Sequence, residues 1–123
     1  LTSNPEGPQF QHARTEAGST VAGTVLDRLR TMNEGADPIG SFGAVVGATI
    51  GTSIEDLDVN GPLLVPGLGA QGGTAQDIGR LFAAVPGQVV ASSSRGVLAV
   101  GPDPATLRAE AERVNAELVG SNL

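Results

Sequence analysis

The most constraining feature of the sequence is an apolar run that stops abruptly in a glycine-rich turn. The run is Leu63–Pro66, and glycines at positions 67, 69, 72 and 73 punctuate the turn that follows. Glycine lets the backbone turn sharply and bring several N–H groups close together. Thr74 then begins an amphipathic segment whose positive helix end points back at the turn. This strand–turn–helix unit predicts an anion site, with phosphate as the expected anion.

A second unit of the same kind follows one helix later. The strand-like segment Val89–Ser92 runs into a polar turn that contains Ser94, Arg95 and Gly96. Arginine binds phosphate through two parallel hydrogen bonds, which gives it both strength and geometric specificity. We therefore expect the turn at 93–96 to complete the site that the glycine turn begins.

Strand-like and helix-like segments alternate along the whole chain, which predicts a parallel α/β sheet with right-handed crossovers. Capping residues mark the predicted helix starts, and Gly or Pro marks most of the ends. We expect residues 1–123 to form one segment of about four βα units, with all helices on one side of the sheet. The predicted elements are the end of a strand at Leu1–Ser3, a polar loop to Ala17, a helix from Ser19 to Glu34, a strand buried on both faces at Phe42–Ala48, a short helix at Ser53–Asp58, a strand ending at Pro66, a helix from Thr74 to Val85, a strand at Val89–Ser92, a helical turn at Gly96–Val100 and a final helix from Asp103.

Composition excludes several classes of function. The formal net charge is −6, whereas nucleic acids and anionic membranes are bound by basic surfaces, so we predict neither partner. No apolar run is long enough to span a bilayer, and the first residues do not resemble a signal peptide; we expect a cytoplasmic protein. All seven basic residues are arginine and there is no cysteine, which excludes Schiff-base chemistry and thiolate metal sites.

The glycine turn also fits the Gly-x-Gly-x-x-Gly dinucleotide fingerprint at positions 67–72. That fingerprint requires an acidic residue about 20 positions later to bind the ribose. The next strand ends instead in serines and Arg95, so phosphate binding without a dinucleotide is favoured, and a purely structural turn remains the simpler alternative.

Other polar candidates have simpler explanations. His12 is the single histidine and falls in a polar loop, where a solvated residue is the favoured interpretation. The acidic residues Glu55, Asp56 and Asp58 suit the start of a helix because they complement its dipole, so we predict no metal site.

In (β/α)8 barrels, phosphate is often held by the loops after the seventh and eighth strands and by a short extra helix. The glycine turn, the turn at Arg95 and the segment Gly96–Val100 occur in that order. With Gly-Ala-Val-Val-Gly-Ala-Thr at 43–49, Leu-Val-Pro-Gly-Leu-Gly-Ala-Gln-Gly-Gly at 64–73 and Ser-Ser-Arg-Gly at 93–96, the chain resembles orotidine 5′-phosphate decarboxylase. The version resembled is the bacterial subfamily with a Thr-Ser-Asn-Pro turn, present here at 2–5.

The resemblance covers essentially the whole chain but only the carboxy-terminal half of the family's (β/α)8 barrel. It implies that Arg95, with N–H groups near Ser94 and Gly96, binds the substrate phosphate. The resemblance also implies that Gln71 contacts both the phosphate and the pyrimidine of the substrate, and that Ser3 hydrogen-bonds the pyrimidine. It further implies that Pro66, Gly67 and Gly69 belong to a loop that closes over the ligand. In such a barrel the interior is expected to be filled by Ala44, Val46, Leu64 and Val90.

The resemblance also implies an activity and its limits. The family converts orotidine monophosphate to uridine monophosphate and carbon dioxide without a cofactor, using an Asp-x-Lys-x-x-Asp motif whose lysine protonates the carbanion. That motif is expected before Leu1, so no catalytic residue is predicted within the chain and the chain alone is predicted to be inactive. Expected partners are the nucleotide, the amino-terminal half of the barrel and a second copy in a dimer. The alternative is a non-catalytic phosphate- or nucleotide-binding α/β module.

Overall fold

A computed structural model describes residues 1–51, 53–121 and 123. These residues form three short strands and five helices, with one 3₁₀ turn at Pro86–Gln88. The strands are β1 (Ala44–Val45), β2 (Leu63–Pro66) and β3 (Val89–Ser92), and the helices are α1 (Gly7–Gln11), α2 (Val21–Met32), α3 (Ala75–Leu81), α4 (Arg95–Leu98) and α5 (Pro104–Gly120).

The sheet is parallel and its strands lie in chain order, as the alternation predicts. Pairing continues past the two regular residues of β1, because the N–H groups of Val46 and Ala48 donate to the carbonyls of Leu64 and Pro66. The amino-terminal residue adds to the other edge of β1: its amino group donates to the Val45 carbonyl, and its own carbonyl accepts from Gly47. The predicted strand end at Leu1–Ser3 therefore lies beside β1 without forming a regular strand of its own.

The two faces of the sheet differ in their exposure. Leu63 and Val65 of β2 are fully buried, whereas Leu64 between them is 42% exposed. Val45 pairs with Leu64, and Leu64 with Val90, so these three side chains form one apolar row across the sheet. Val45 is 53% exposed and Val90 is 50% exposed. The prediction that the strand at 42–48 is buried on both faces is therefore wrong within the described residues.

The helices cover the opposite face. Leu26 of α2 and Ile78 of α3 belong to the same core cluster as Leu63 and Val65, and Leu118 of α5 packs against it. Val46 is also a core member and is fully buried. Ala44 and Val46 therefore lie on the helix-covered side, which corrects their predicted place in a barrel interior; Leu64 and Val90 lie on the open side as predicted. One covered face and one open apolar face are what a part of a (β/α)8 barrel presents.

The connection from β1 to β2 contains no helix among its described residues, so the predicted helix at Ser53–Asp58 is wrong. The side chains favoured at a helix start form local turns instead. Ser53 Oγ accepts from the Glu55 N–H at 3.1 Å, and Asp56 Oδ1 accepts from the Asp58 N–H at 2.9 Å. Such side-chain bonds compete with helix formation. The prediction of a loop up to Ala17 missed a short helix, because α1 forms within that segment.

Three side-chain amides join the segments at the amino-terminal end of the sheet; we call Asn33, Asn60 and Gln88 the amide cluster. Asn33 is 1% exposed, and its Nδ2 donates to the carbonyls of Phe42 and Val59 at 2.7 and 2.8 Å. Gln88 Oε1 accepts from the N–H groups of Val59 and Gly61, both at 3.2 Å. The cluster therefore ties the end of α2 to the starts of all three strands.

Candidate functional site

The predicted site residues follow strand ends that lie side by side. Pro66 is in register with Ser92, so the turn after β2 and the turn after β3 leave the same edge of the sheet together. Parallel strands place all their carboxyl ends at one edge, which is where ligands bind in barrels of this type. The register thus confirms that the two turns are neighbours, as the two predicted phosphate-binding units require.

The glycine turn at 67–73 is closed by its own hydrogen bonds. The N–H groups of Gly69 and Gly72 donate to carbonyls at 73 and 69, both at 2.8 Å, and Gly73 donates to the Gly67 carbonyl at 3.1 Å. The Ala70 N–H is also engaged, with the carbonyl of residue 68. Four N–H groups of this turn therefore have acceptors within it, so these four are not available as donors to an anion.

Position 67 favours glycine for two reasons: its backbone conformation and the nearby side chain of Gln71. Its φ is +103°, a conformation that residues with a side chain rarely adopt. A Cβ at this position would lie 3.1 Å from Oε1 of Gln71. The Gln71 carboxamide is thus folded back over Gly67, at the point where the turn leaves β2.

The start of α3 is already occupied by a negative charge. Thr74 and Asp77 form the predicted capping box: Thr74 Oγ1 accepts from the Asp77 N–H, and Asp77 Oδ2 accepts from the Thr74 N–H, each at 3.1 Å. The hydroxyl of Thr74, its N–H and Arg80 hydrogen-bond to the carboxylate and lower the pKa of Asp77. An anion at this helix end would meet that carboxylate, so α3 does not supply the positive end that the sequence predicted.

The turn after β3 offers a different environment. Arg95 is the first residue of α4 and its side chain is exposed. No carboxylate among the described residues lies within 4.0 Å of its guanidinium, whereas Arg30, Arg80 and Arg113 each pair with one. The first N–H groups of a helix have no acceptor within it, and the side chain of Ser94 does not cap them. Arg95 and the N–H groups beside it are therefore available to an anion.

Ser3 is held at the same edge of the sheet by a residue that follows β1. Its Oγ lies 2.9 Å from Oγ1 of Thr49. The sequence analysis did not select Thr49, although its place directly after the Gly-Ala pair that ends the β1 ladder was the available signal. The contact places the Ser3 side chain beside Thr49, and either hydroxyl can be the donor.

The predicted residues share an edge but do not touch one another through any hydrogen bond among the described residues. A cavity of about 550 Å³ lies between the two turns and α5, lined by Gly69, Ser93, Gly96 and Arg113 among others. Oγ of Ser93 lies 3.0 Å from where a Cβ of Gly96 would be, so any larger residue there would press on that hydroxyl. A larger groove of about 900 Å³ lies between residues 48–58 and α3 and is lined by none of the predicted site residues.

The remaining polar candidates form no further site. His12 is exposed in the loop after α1. Across residues 1–51, 53–121 and 123, no group of three or more His, Cys, Asp or Glu side chains is arranged to hold a metal ion. Glu55 instead accepts a 2.6 Å hydrogen bond from Thr20, the residue that caps α2.

Comparisons with known proteins agree with the motifs. No protein-family model matches the chain. An orotidine 5′-phosphate decarboxylase from Nocardioides sp. (strain ATCC BAA-499 / JS614) is 57% identical over 121 residues, which are 96% of this chain and 44% of that protein. The enzyme of the same name from Streptomyces coelicolor is 53% identical over 119 residues, 96% of this chain and 43% of its own length.

A solved structure gives the same result in three dimensions. A crystal structure from Streptomyces avermitilis, provisionally named orotidine 5′-phosphate decarboxylase, superposes with a TM-score of 0.90 at 49% identity. The match covers 98% of this chain and 43% of that one. The chain thus spans less than half the length of the proteins it matches, and the resemblance predicted from its motifs is confirmed.

Proposed function

We propose that the chain is the substrate-phosphate half of an orotidine 5′-phosphate decarboxylase, which converts orotidine monophosphate to uridine monophosphate and carbon dioxide without a cofactor. The observation that carries this proposal is the position of Arg95. It is exposed, it has no carboxylate partner among the described residues, and it follows the strand next to the glycine turn. A carboxy-terminal half-barrel of about four βα units, residues 1–123, is the corresponding domain assignment.

The phosphate is bound by the turn after β3. Arg95 supplies the charge and a two-point contact, and the N–H groups near Ser94 and Gly96 donate to the remaining oxygens. The internally bonded glycine turn contributes its shape and the Gln71 side chain rather than its bonded N–H groups. Phosphate binding is assigned to the turn after β3 because N–H groups of residues 67–73 already hydrogen-bond within their own turn.

The nucleoside is bound by residues from the neighbouring strand ends. Gln71 is exposed above Gly67 and bridges the phosphate and the pyrimidine, while Ser3 hydrogen-bonds the pyrimidine. Pro66, Gly67 and Gly69 belong to the loop that closes over the ligand. Pro66 fixes the backbone where the loop begins, and the positive φ values of Gly67 and Gly69 give it its bends.

The chemical step needs groups that these 123 residues do not contain. Loss of carbon dioxide leaves a carbanion that must be protonated, and the family uses a lysine within Asp-x-Lys-x-x-Asp for this. The sequence has seven arginines and no lysine. The chain therefore binds and orients the nucleotide, and it is inactive without the amino-terminal half of the barrel.

The open face of the sheet indicates the partner. The apolar row Val45–Leu64–Val90 is about half exposed, and in a closed barrel the strands of the other half cover it. For the chain alone, a second copy of the same chain is the expected partner, in a dimer that covers the open edges. The formal net charge of −6 favours neither a nucleic acid nor an anionic membrane as a partner, and the proposed location is the cytoplasm. No helix among the described residues is long and apolar enough to cross a bilayer.

A chimeric enzyme tests the binding role of Arg95. Residues 1–123 replace the matching segment of the Nocardioides relative, and uridine monophosphate and uridine are titrated calorimetrically. Arg95→Ala is expected to weaken binding of the monophosphate by on the order of 1.5–3 kcal/mol, since a charge-assisted bidentate contact is lost, and to leave uridine unchanged. Arg108→Ala, an exposed arginine on α5, is the control and should change neither affinity.

Two outcomes of this titration would contradict the proposal. Equal losses for the two ligands would show that Arg95 does not contact phosphate. Tight binding of the monophosphate to the isolated chain, with no activity in the chimera, would favour the alternative of a non-catalytic phosphate- or nucleotide-binding module.

A further inference from the structure

The amide cluster contains a chemically fragile pair at the opposite end of the sheet from the proposed binding site. Asn60–Gly61 is the one Asn-Gly step in the sequence. In such a step the glycine nitrogen can attack the asparagine side chain, because glycine has no Cβ to hinder it. The N–Cγ bond forms, the Cγ–Nδ2 bond breaks and ammonia leaves; water then opens the cyclic imide to an aspartyl or isoaspartyl residue. No redox change or cofactor is involved.

The attacking nitrogen is engaged in the folded chain. The Gly61 N–H donates to Oε1 of Gln88 at 3.2 Å, and Gly61 is buried. Gln88 is itself held in place, since its Nε2 donates to Oδ1 of Asp58 at 2.6 Å. Attack requires the Gly61 nitrogen to lose its proton, and an N–H that is buried and hydrogen-bonded is shielded from the base that would remove it.

The leaving group is engaged as well. Nδ2 of Asn60 donates to the carbonyls of Asn33 and Ala36 at 3.2 and 3.1 Å. The Asn60 main chain is fixed on both sides, because its N–H donates to Asp58 Oδ1 at 3.2 Å and its carbonyl accepts from Gly40 at 2.8 Å. The side-chain carbon therefore cannot turn toward the Gly61 nitrogen while these bonds persist.

Neither product fits the cluster. An aspartate at position 60 would place carboxylate oxygens against the carbonyls of Asn33 and Ala36, with no proton to donate to them. An isoaspartyl residue would add a carbon to the main chain just before β2. We propose that Asn60–Gly61 is a fold-gated deamidation site, protected by Gln88 and two carbonyls while the cluster is closed and converted to a product that cannot re-form the cluster once it opens.

The rate of deamidation at Asn60 in the 123-residue chain tests whether the folded cluster protects this residue. The chain is incubated at mildly alkaline pH with and without concentrated urea, and products at Asn60 are measured by peptide mass spectrometry and enzymatic labelling of isoaspartate. Conversion in buffer is expected to be at least about tenfold slower than in urea, because it proceeds through the small open population. Equal rates in the two conditions would overturn the proposal.

Two pairs of variants test which contacts protect Asn60–Gly61 from deamidation and whether the product fits the cluster. Gln88→Met removes the bonds to Val59, Gly61 and Asp58 and should raise the rate in buffer at least about fivefold, whereas Gln9→Met on the exposed face of α1 should not.

Asn60→Asp should lower the urea midpoint, while Asn115→Asp, at an exposed position of α5, should leave it unchanged. If Gln88→Met does not fold, the urea series on the unaltered chain remains decisive. An Asn60→Asp chain as stable as the parent would overturn the claim that the product does not fit.

Discussion

Arg95 and Gln71 carry the proposed nucleotide binding, and their surroundings in the structure differ. The Arg95 guanidinium has no carboxylate partner among the described residues, so it loses no ion pair when phosphate arrives. The Gln71 carboxamide lies beside Gly67, where a side chain would crowd it. At the scale of residues, the site therefore depends on one free cation and on one glycine that positions an amide.

Replacing Gly67 by alanine tests that positioning. Gly67→Ala in the chimera should lower stability by on the order of 1–3 kcal/mol because of its positive φ, and should also weaken binding of uridine monophosphate because the new methyl displaces Gln71. Gly72→Ala is the matched control: its φ is +89° but no atom lies within 4 Å of the added methyl. Equal binding losses in the two variants would show that Gln71 is not positioned through Gly67.

Sequence reasoning found the residues at the strand ends but not the contacts among them. Arg95 followed from its residue type and its place in the polar turn after an apolar run, whereas Gln71 was assigned only through the resemblance to orotidine 5′-phosphate decarboxylase. The internal bonds of the glycine turn and the Ser3–Thr49 contact depend on the path of the folded chain, which the spacing of residues does not encode. The buried role of Asn33 was missed because an asparagine at a helix end is ordinarily solvated.

At the scale of elements, capping residues predicted a helix start correctly where the capping side chain hydrogen-bonds the first turn of a helix. Thr74 with Asp77 and Asp103 with Pro104 begin α3 and α5 as predicted. The same kind of signal failed at Ser53–Asp58, where the side chains bond within turns. The start of α2 shifted by one residue, because Thr20 rather than Ser19 accepts from the Gly23 N–H. Capping residues alone therefore do not establish a helix.

The capping box of α3 has a testable dependence on pH. Hydrogen bonds lower the pKa of Asp77 in the folded chain, so its contribution to stability is present above the ordinary aspartate pKa of about 3.9 and is lost as the pH falls through the lower folded value. Asp77→Asn should lower the denaturant midpoint at neutral pH, and the difference from the parent should shrink in acid. Asp37→Asn, at an exposed position, is the control. A difference that is constant with pH would contradict the role of the carboxylate.

At the scale of the whole molecule, one face of the sheet is covered by helices and the other is open. The open face carries the apolar row Val45–Leu64–Val90, and β3 and the segment at Leu1–Ser3 form the two edges of the sheet. Open edges and exposed apolar surface favour association. The order of the strands in the sheet was predictable from sequence, whereas α1 and the absence of a helix between β1 and β2 among the described residues were not. The sequence also did not show which alternate residues face the helices, because Ala44 and Val46 belong to a strand too short to show a clear alternation.

Association of the isolated chain should therefore be measurable. We expect sedimentation velocity to show a dimer or larger species, because pairing of edges and covering of the apolar row reduce exposed surface. Leu64→Asn, on the open face, should shift the distribution toward monomer, while Ile54→Asn, at an exposed position outside the sheet, should not. A single sharp monomer with a cooperative thermal transition would indicate a complete small domain instead.

The central claim is that these residues supply the nucleotide-binding half of a decarboxylase, and turnover by the chimera tests it most directly. Residues 1–123 in place of the matching segment of the 57% identical Nocardioides relative should restore conversion of orotidine monophosphate to uridine monophosphate and carbon dioxide. Arg95→Ala should lower kcat/KM by at least about tenfold in the same chimera. A folded chimera without decarboxylase activity, or one whose activity is unaffected by Arg95→Ala, would contradict the account.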